Sequence, residues 1–235
     1  MGPLMEFVEP KLFCDEDECA KVLAKEMGDL LRKRLSRRKR AYAAFSGGRT
    51  PRIVLPLLAA EPDIDWERVT VMLTDERWVS INNVTSNERL VQKFFLDKGA
   101  KEVKFFGFWS RRKSREEICR NIGRILKKNI ESLDLVYLGM GEDGHIASLF
   151  PCVSESAFGS KESYCVLGKS SMVPKNRISL SLPSLLNSRT IFLQLSGPTK
   201  RRVYEAALKA GPSPLLPVSL VLWSRHPDLK IYIAK

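Results

Sequence analysis

The sequence predicts one α/β domain, with a mostly parallel central sheet and helices on both faces. Short apolar runs of strand length alternate along the 235 residues with longer segments whose apolar residues recur at helical spacing. Three of these runs end in polar or Gly-rich turns, and the carboxyl ends of such strands are where open α/β sheets bind ligands. The chain has no internal repeat and no Pro/Gly/Ser-rich linker. We therefore expect residues 1–235 to form a single domain.

The elements follow in order from apolar periodicity and from capping residues. Apolar residues recur at helical spacing over 20–35 and predict the first helix. Thr50 and Pro51 are typical of an N-cap followed by proline at the first helical position, so they predict a helix through about Ala60. Pro56 removes a donor inside that helix and should bend it. Further helices are predicted at 87–96, 114–128 and 199–209, and 218–223 is either strand or helix. Strands are predicted at 41–45, 69–73, 103–106, 133–138, 164–167, 177–182, 190–195 and 229–233.

The chain is strongly basic, with 39 Lys and Arg against 27 Asp and Glu and a formal charge of +12. Much of the excess lies in the basic run 32–40, and a second cluster covers 111–115. Such clusters can bind nucleic acid through phosphate contacts. Cations also suit the C-terminal end of the first helix, and no nucleic-acid-binding motif accompanies either cluster. We favour a solvated helix end and expect no nucleic-acid partner.

The sequence indicates a cytoplasmic protein without a membrane span. No apolar run approaches the roughly 20 residues that a membrane helix needs, and the first residues are acidic where a secretory signal would be basic. The five cysteines are scattered, with no Cys-x-x-Cys pair, so we expect reduced and mostly structural thiols. No motif for a metal or another cofactor is present, and we expect none.

The turn Ser46-Gly47-Gly48-Arg-Thr50-Pro51 joins a predicted strand to a helix start. Backbone N–H groups and hydroxyls at such a position meet the positive end of the helix dipole, where phosphate binds well. The turn is not a P-loop, because the Lys-Ser/Thr ending is absent. On these residues alone a tight structural turn is an equal alternative.

The turn 139–145 reads Gly-Met-Gly-Glu-Asp-Gly-His and follows another predicted strand. Its Gly-x-Gly-x-x-Gly spacing matches a dinucleotide fingerprint, but that motif needs a long following helix, and Pro151 ends the segment after barely two turns. What remains is Asp143, whose carboxylate can orient the imidazole of His145. Histidine is suited to accept a proton from water near neutral pH. A packing or capping role for His145 is the alternative, and the Gly-rich strand end favours catalysis.

Other charged residues fall at predicted element ends. Asp75, Glu76 and Arg77 follow the strand 69–73 as a polar turn, where surface ion pairing is the alternative to a site. Arg177 and Lys200 could close around a phosphate. His226 lies in the turn sequence Arg-His-Pro-Asp, and we assign it no chemistry.

Taken together and in this order, five motifs resemble the 6-phosphogluconolactonase family, within the superfamily that also contains glucosamine-6-phosphate isomerase. The resemblance covers nearly the whole chain. Its most specific part is the Asp-Gly-His-x-Ala-Ser-Leu-Phe-Pro string at 143–151. The other motifs are Ser-Gly-Gly-x-Thr-Pro at 46–51, Asp-Glu-Arg-Trp at 75–78 followed by Ser86-Asn87, Arg-Ile-Ser-Leu-Ser-Leu-Pro at 177–183, and Gly-x-x-Lys at 197–200.

The resemblance implies a Rossmann-like α/β fold, no redox cofactor, and hydrolysis of 6-phosphogluconolactone to 6-phosphogluconate in the oxidative pentose phosphate pathway. It implies that His145 activates water and that Asp143 orients it. It implies that Arg77 lines the lactone end. The implied phosphate and substrate contacts are Ser46, Gly47, Gly48, Thr50, Asp75, Arg177 and Lys200. We expect a small-molecule substrate and a monomer or weak homodimer.

The isomerase branch of the same superfamily is the closest alternative. That branch resembles Asp-Gly-His-Ile-Ala-Phe-Asn-Glu-Pro where this chain has Ser148, Leu149 and Phe150. Phe150 therefore replaces the glutamate that supports ring opening, whereas Asp75 matches an isomerase acid and does not discriminate. A non-catalytic sugar-phosphate binder is the other alternative. The segment 79–85 and Pro56 depart from the family pattern, but neither contributes the expected base.

Overall fold

The computed structural model describes residues 8–152 and 155–235. The strands are β1 (Lys11–Phe13), β2 (Ala41–Phe45), β3 (Val69–Leu73), β4 (Asp75–Arg77), β5 (Lys104–Phe106), β6 (Leu135–Gly139), β7 (Cys165–Lys169), β8 (Asn176–Leu180), β9 (Ile191–Ser196) and β10 (Leu229–Ala234). The helices are α1 (Glu16–Leu35), α2 (Pro51–Ala59), α3 (Asn87–Phe94), α4 (Arg115–Asn129), α5 (Leu182–Leu186), α6 (Pro198–Ala210) and α7 (Val218–Leu222). Within the described ranges, none of the helices has both the length and the apolar character that crossing a bilayer requires.

Seven strands form a central sheet in the order β1-β10-β9-β6-β2-β3-β5, and every pairing between them is parallel. All five residues of β3 and all six of β9 are buried. Because successive strand residues point to opposite faces, this burial means that helices cover both faces of the sheet. The structure therefore confirms the predicted α/β fold class.

The sheet reverses its direction of growth between β2 and β6. From β2 the chain adds β3 on one side, and it later returns to place β6 on the other side. The connections that follow β2 and β6 consequently leave in opposite directions and open a crevice at the carboxyl ends of these strands, which is the usual ligand position in such sheets. The turns 46–51 and 139–145 both begin at this crevice.

A second, smaller sheet has the order β4-β8-β7 and is antiparallel. Its presence corrects the interpretation of Asp75, Glu76 and Arg77 as a turn, because these residues form β4 and pair with β8. The sequence signal was misleading because three polar residues directly after a buried strand are also typical of a loop. The segment 218–223, which the sequence left open, is helix α7.

Thr50 is a further correction. It occupies the position before α2, but its backbone is already helical, at φ −62° and ψ −40°, and its side chain makes no capping hydrogen bond. Side-chain capping requires an extended backbone at that residue, so Thr50 does not cap α2. Pro56 lies inside α2, and the helix continues past it to Ala59.

The basic run 32–40 continues from the last turn of α1, and several of its cations have carboxylate partners. Arg32 pairs with Asp29 and Glu61, at 2.7 and 3.0 Å. Arg34 forms an ion pair with the buried Asp134, with Nε 3.1 Å from Oδ1. These contacts hold the end of α1 against its neighbours, as expected of a helix end rather than of an open binding patch.

Candidate active site

Two adjoining cavities open at the carboxyl ends of β2 and β6, with volumes of about 600 and 220 Å³. Asp75, Arg77, His145 and Ala147 line both cavities. The smaller cavity is otherwise lined by the turn 46–51, Asn87, the start of the turn 139–145, and Lys200. The larger one is otherwise lined by Thr85, Glu142, Asp143, Ser148, Phe150, the segment 170–174, and Arg177.

His145 and Asp143 form the contact that the sequence suggested. The Nδ1 atom of His145 lies 2.5 Å from Oδ1 of Asp143, which also accepts the backbone N–H of His145 at 3.1 Å. Partial burial works to raise the pKa of Asp143, but the hydrogen bond and charge of His145 outweigh it and lower that pKa. An ionised Asp143 accepts the proton on Nδ1, so Nε2 of the neutral ring is the atom that can accept a proton.

The turn 139–145 needs its glycines to bring the ring into place. A Cβ on Gly141 would lie 2.2 Å from the imidazole of His145, and Gly144 has φ +79°, which favours glycine. The His145 side chain keeps 32% of its surface exposed, so the ring is accessible from the cavities. The ring of Phe150 lies 4.7 Å from the imidazole, between centroids.

The turn 46–51 presents backbone N–H groups to the smaller cavity. Within the described residues, the N–H groups of Gly47 and Gly48 have no backbone acceptor. Ser46 is buried, and its hydroxyl lies 2.8 Å from the hydroxyl of Thr74. Gly47 has to be a glycine, because a Cβ there would lie 1.8 Å from Oδ1 of Asn87. This arrangement is suited to an anion.

Lys200 projects from the first turn of α6 into the same cavity. Burial, and then the positive charge of Arg49, lower the pKa of Lys200, although Glu142 and Glu16 act in the opposite direction. A bound anion would relieve the cost of holding this cation away from water. The sequence-predicted residues Ser46, Gly47, Gly48, Thr50 and Lys200 thus meet around one cavity.

Arg177 lies in the larger cavity rather than beside Lys200. It stands opposite Arg77 in the β4–β8 register. Burial, and then Arg77, lower the pKa of Arg177, and its Nε and Nη1 atoms are buried without a hydrogen-bond partner among the described residues. Arg77 donates to the Thr85 carbonyl at 2.6 Å and faces both cavities. The two guanidinium groups therefore form a second cationic centre.

Asp75 is buried and held by several donors. Its Oδ2 accepts the hydroxyl of Ser148 at 2.5 Å, and its Oδ1 lies 3.3 Å from Nδ2 of Asn87. The Oδ1 atom of Asn87 is buried with no partner in the described part of the chain. No role for Ser148 or Asn87 was predicted from the sequence, although both residues lie within the motifs that resemble the family.

Glu76 is buried and has a structural role that the sequence did not suggest. Its carboxylate accepts the backbone N–H groups of Arg77, Asn87 and Glu88 and the hydroxyl of Ser86, at 2.7 to 3.0 Å. These contacts join β4 to the start of α3. His226 lies outside both cavities, is buried, and has Nε2 2.8 Å from the Ser188 carbonyl.

Comparison with known proteins matches the chain to the family model described as glucosamine-6-phosphate isomerases/6-phosphogluconolactonase, over residues 14–230. A 6-phosphogluconolactonase from Pseudomonas putida is 32% identical over 221 residues, covering 93% of this chain and 89% of that protein. A 6-phosphogluconolactonase from Helicobacter pylori strain J99 is also 32% identical, and the match covers 93% of this chain and 95% of that protein.

A crystal structure of a 6-phosphogluconolactonase from Shewanella baltica superimposes with a TM-score of 0.90 at 32% identity, covering 98% of this chain and all of that one. The match of the family model runs through both the turn 46–51 and the turn 139–145. The chain therefore belongs to the glucosamine-6-phosphate isomerase/6-phosphogluconolactonase family.

Proposed function

We propose that this chain hydrolyses 6-phospho-D-glucono-1,5-lactone to 6-phosphogluconate, as in the oxidative pentose phosphate pathway. The relatives named above are 6-phosphogluconolactonases. The observation that carries the proposal is the position of His145. Its imidazole borders both the cavity of Ser46 and Lys200 and the cavity of Arg177, so a phosphate at one end of a sugar and a carbonyl at the other can be bound together.

In the proposed reaction, Nε2 of His145 removes a proton from a water molecule as the water oxygen attacks the lactone carbonyl carbon. Asp143 holds the ring in the required tautomer and stabilises the imidazolium that forms. Arg77 lies where it can stabilise the negative charge that develops on the carbonyl oxygen. The bond from that carbon to the ring oxygen then breaks, and the ring oxygen takes up the proton from His145. A carboxylic acid and a free hydroxyl result.

The phosphate contacts in this proposal position the substrate rather than react with it. Ser46, Gly47, Gly48 and Lys200 surround the smaller cavity, and we assign the phosphate to them. Arg177 remains a phosphate contact by prediction, and it lines the larger cavity. A fixed phosphate aligns the carbonyl with His145 and lowers the entropy cost of reaction.

The isomerase alternative needs a proton-transferring acid beside the histidine at position 150. Phe150 occupies that position, and its ring packs against His145. A hydrocarbon ring has no proton to exchange, so lactone hydrolysis is the better supported reaction. The cytoplasmic location and the state of monomer or weak homodimer stay predictions from the sequence.

The test is to generate the lactone in situ and to compare its disappearance with spontaneous hydrolysis, using glucosamine 6-phosphate as the second substrate. We expect rapid lactone hydrolysis and no turnover of the amino sugar. His145→Ala should lose most of the activity, about 10²-fold or more, because a positioned general base contributes that much. Its thermal unfolding should match that of the wild type. Wild-type rates in His145→Ala would assign the base to another residue.

A further inference from the structure

Helix α4 contacts the smaller sheet through three residues at four-residue spacing, which place them along one face of the helix. At one end, Arg115 donates to the carbonyls of Gly168 and Arg177, each at 3.3 Å. Further along the helix, Gly123 faces Tyr164, the residue before β7, since a Cβ on Gly123 would lie at van der Waals contact, 3.7 Å, from the Cβ of Tyr164. Between these contacts lies Cys119. The helix is therefore held close to β7 on both sides of this cysteine.

Cys119 meets Cys165, the first residue of β7, at this junction. The two thiols lie close enough for each to affect the ionisation of the other, and neither is in a disulfide. Both residues are partly exposed. The five cysteines are scattered in the sequence, and Cys119 and Cys165 are far apart along the chain. Only the packing of α4 on β7 brings them together.

The surroundings of the two thiols differ. The hydrogen bond from Cys165 lowers the pKa of Cys119 most, and Arg115 and Arg120 act in the same direction, against burial and the charge of Glu116. Burial, together with Cys119, raises the pKa of Cys165. Cys119 is thus the better nucleophile, and Cys165 is placed to react with it in a second step.

We propose that Cys119 and Cys165 are a modification site at which a peroxide converts the two neighbouring thiols into a disulfide. The thiolate of Cys119 attacks one peroxide oxygen, the O–O bond breaks, and the other oxygen leaves as hydroxide and becomes water. The sulfur of Cys165 then attacks the sulfur of the resulting Cys119 sulfenic acid, and the hydroxyl of that acid takes the proton of the Cys165 thiol and leaves as a second water. Two thiols are oxidised, and one hydrogen peroxide molecule is reduced to two water molecules.

The position of this pair connects it to the larger cavity. After β7 the chain enters the segment 170–174, which lines that cavity, and Gly168 of β7 pairs with Arg177 of β8. A disulfide has an S–S bond of about 2 Å, shorter than any thiol hydrogen bond, so its formation draws β7 toward α4. We expect this movement to displace Arg177 and the segment 170–174 relative to His145.

The first experiment treats the reduced full-length protein with hydrogen peroxide, alkylates the remaining thiols after denaturation, and maps disulfides by mass spectrometry. We expect a Cys119–Cys165 linkage that a dithiol reductant reverses. Cys119→Ser and Cys165→Ser should each abolish it, and Cys165→Ser should leave a sulfenic acid on Cys119 that dimedone traps. Cys14→Ser changes an exposed cysteine elsewhere and should leave the linkage intact. Absence of the linkage, or preferential pairing of other cysteines, would overturn the proposal.

The second experiment measures lactone hydrolysis before and after oxidation, and this readout alone rests on the proposed function. We expect KM to change about twofold or more, because small displacements of binding groups have large effects on reaction geometry. Cys165→Ser should show no such change with peroxide. An unchanged KM in protein with a mapped disulfide would refute the connection to the cavity. Reduced protein without lactonase activity would instead contradict the proposed function and leave the disulfide result standing.

Discussion

At the scale of single residues, the chemistry of His145 depends on its neighbours. The carboxylate of Asp143 accepts a hydrogen bond from Nδ1 of His145. Gly141 leaves space for the imidazole ring, and the ring of Phe150 packs against it. The ring borders two cavities that cationic side chains also line. The same imidazole in a packed core would have no route to a water molecule and a substrate, as His226 illustrates.

Asp143→Asn tests this dependence. The amide keeps nearly the same shape, but it removes the negative charge that stabilises the imidazolium and can present an N–H to Nδ1. We expect kcat to fall about tenfold to 10²-fold, with a smaller change in KM, measured with the lactone generated in situ. Asp17→Asn changes an exposed aspartate of α1 and serves as the control. Equal kcat in the Asp143 variant and the wild type would remove Asp143 from the mechanism.

Lys200→Ala tests the assignment of the phosphate to the smaller cavity. The phosphate is present in both the ground state and the transition state, so we expect KM to rise about tenfold or more while kcat changes little. Lys209→Ala removes an exposed cation from the same helix and should leave both constants unchanged. Arg177→Ala should likewise raise KM, because Arg177 is predicted to contact the phosphate. An unchanged KM in either site variant would exclude that residue from phosphate binding.

At the scale of elements, the site depends on how the connections after the strands are held. The turn after β2 is pressed against Asn87 at the start of α3, and the start of α3 is in turn bound by Glu76 of β4. The turn after β2, strand β4 and helix α3 therefore meet at the smaller cavity, which Gly47 and Asn87 line. Changes at this junction should affect stability and substrate binding together.

Gly47→Ala tests the junction directly. The new methyl group would overlap Oδ1 of Asn87, so Asn87 or the turn has to move. We expect the free energy of unfolding to fall by about 1–3 kcal/mol, as in other overpacked sites, and lactonase activity to fall with it. Gly139→Ala is the matched control for stability, since a Cβ there meets nothing within 4 Å. A stable and fully active Gly47→Ala variant would contradict the close approach.

Glu76 makes stability depend on pH. Burial raises the pKa of Glu76 from its ordinary 4.5 to about 7, against the hydrogen bonds from Asn87, Glu88, Arg77 and Ser86, which lower it. Between these values the folded chain holds a proton that the unfolded chain has lost. The contribution of Glu76 to stability is therefore complete below pH 4.5 and decreases as pH rises to about 7.

Denaturant unfolding of the wild type and of Glu76→Gln across this pH range provides the measurement. The variant cannot titrate at this position. We therefore expect the change of its unfolding free energy with pH to lack the contribution of Glu76. It should also be less stable overall, because an amide N–H then faces backbone N–H donors. Glu102→Gln, at an exposed position, should keep the wild-type slope. The same pH dependence of the unfolding free energy in Glu76→Gln and wild type would show that burial does not raise the pKa of Glu76.

At the scale of the whole molecule, the chain carries a formal charge of +12, and much of the excess lies in the basic run 32–40. The basic run 32–40 ends α1, and Arg32 and Arg34 have carboxylate partners there. Arg68 donates to the carbonyls of Leu35, Arg38 and Lys39 and thereby orders the connection to β2. The run therefore has a structural role at the opposite ends of the strands from the candidate site.

A filter-binding assay with duplex DNA at low and moderate salt tests this interpretation. We expect only weak binding, with a dissociation constant of about 10⁻⁶ M or weaker at moderate salt, which is typical of non-specific phosphate contacts. Replacing the exposed residues Lys33, Arg37, Lys39 and Arg40 by glutamine should weaken that binding and leave lactone hydrolysis unchanged. Tight binding that falls steeply with salt would identify the run as a nucleic-acid surface.

Much of the fold could be predicted because its signals are local. Continuous apolar runs located β2 and β3 to the residue and β9 within one residue at each end. The first helix was placed four residues too late, because its polar first turn, capped by Asp15, carries no apolar periodicity. The edge strand β1 was missed because it has only three residues, too few to show a pattern.

The sequence by itself determined the α/β class, the Gly-rich turns at the strand ends, and the Asp143–His145 pair, since each depends on residues close together in the chain. Only the tertiary structure decided that Asp75–Arg77 is a strand, that Arg77 faces Arg177, that Lys200 and Arg177 border different cavities, and that Cys119 meets Cys165. These contacts join distant segments. Strand pairing and helix packing are set by burial against partners that no local pattern specifies.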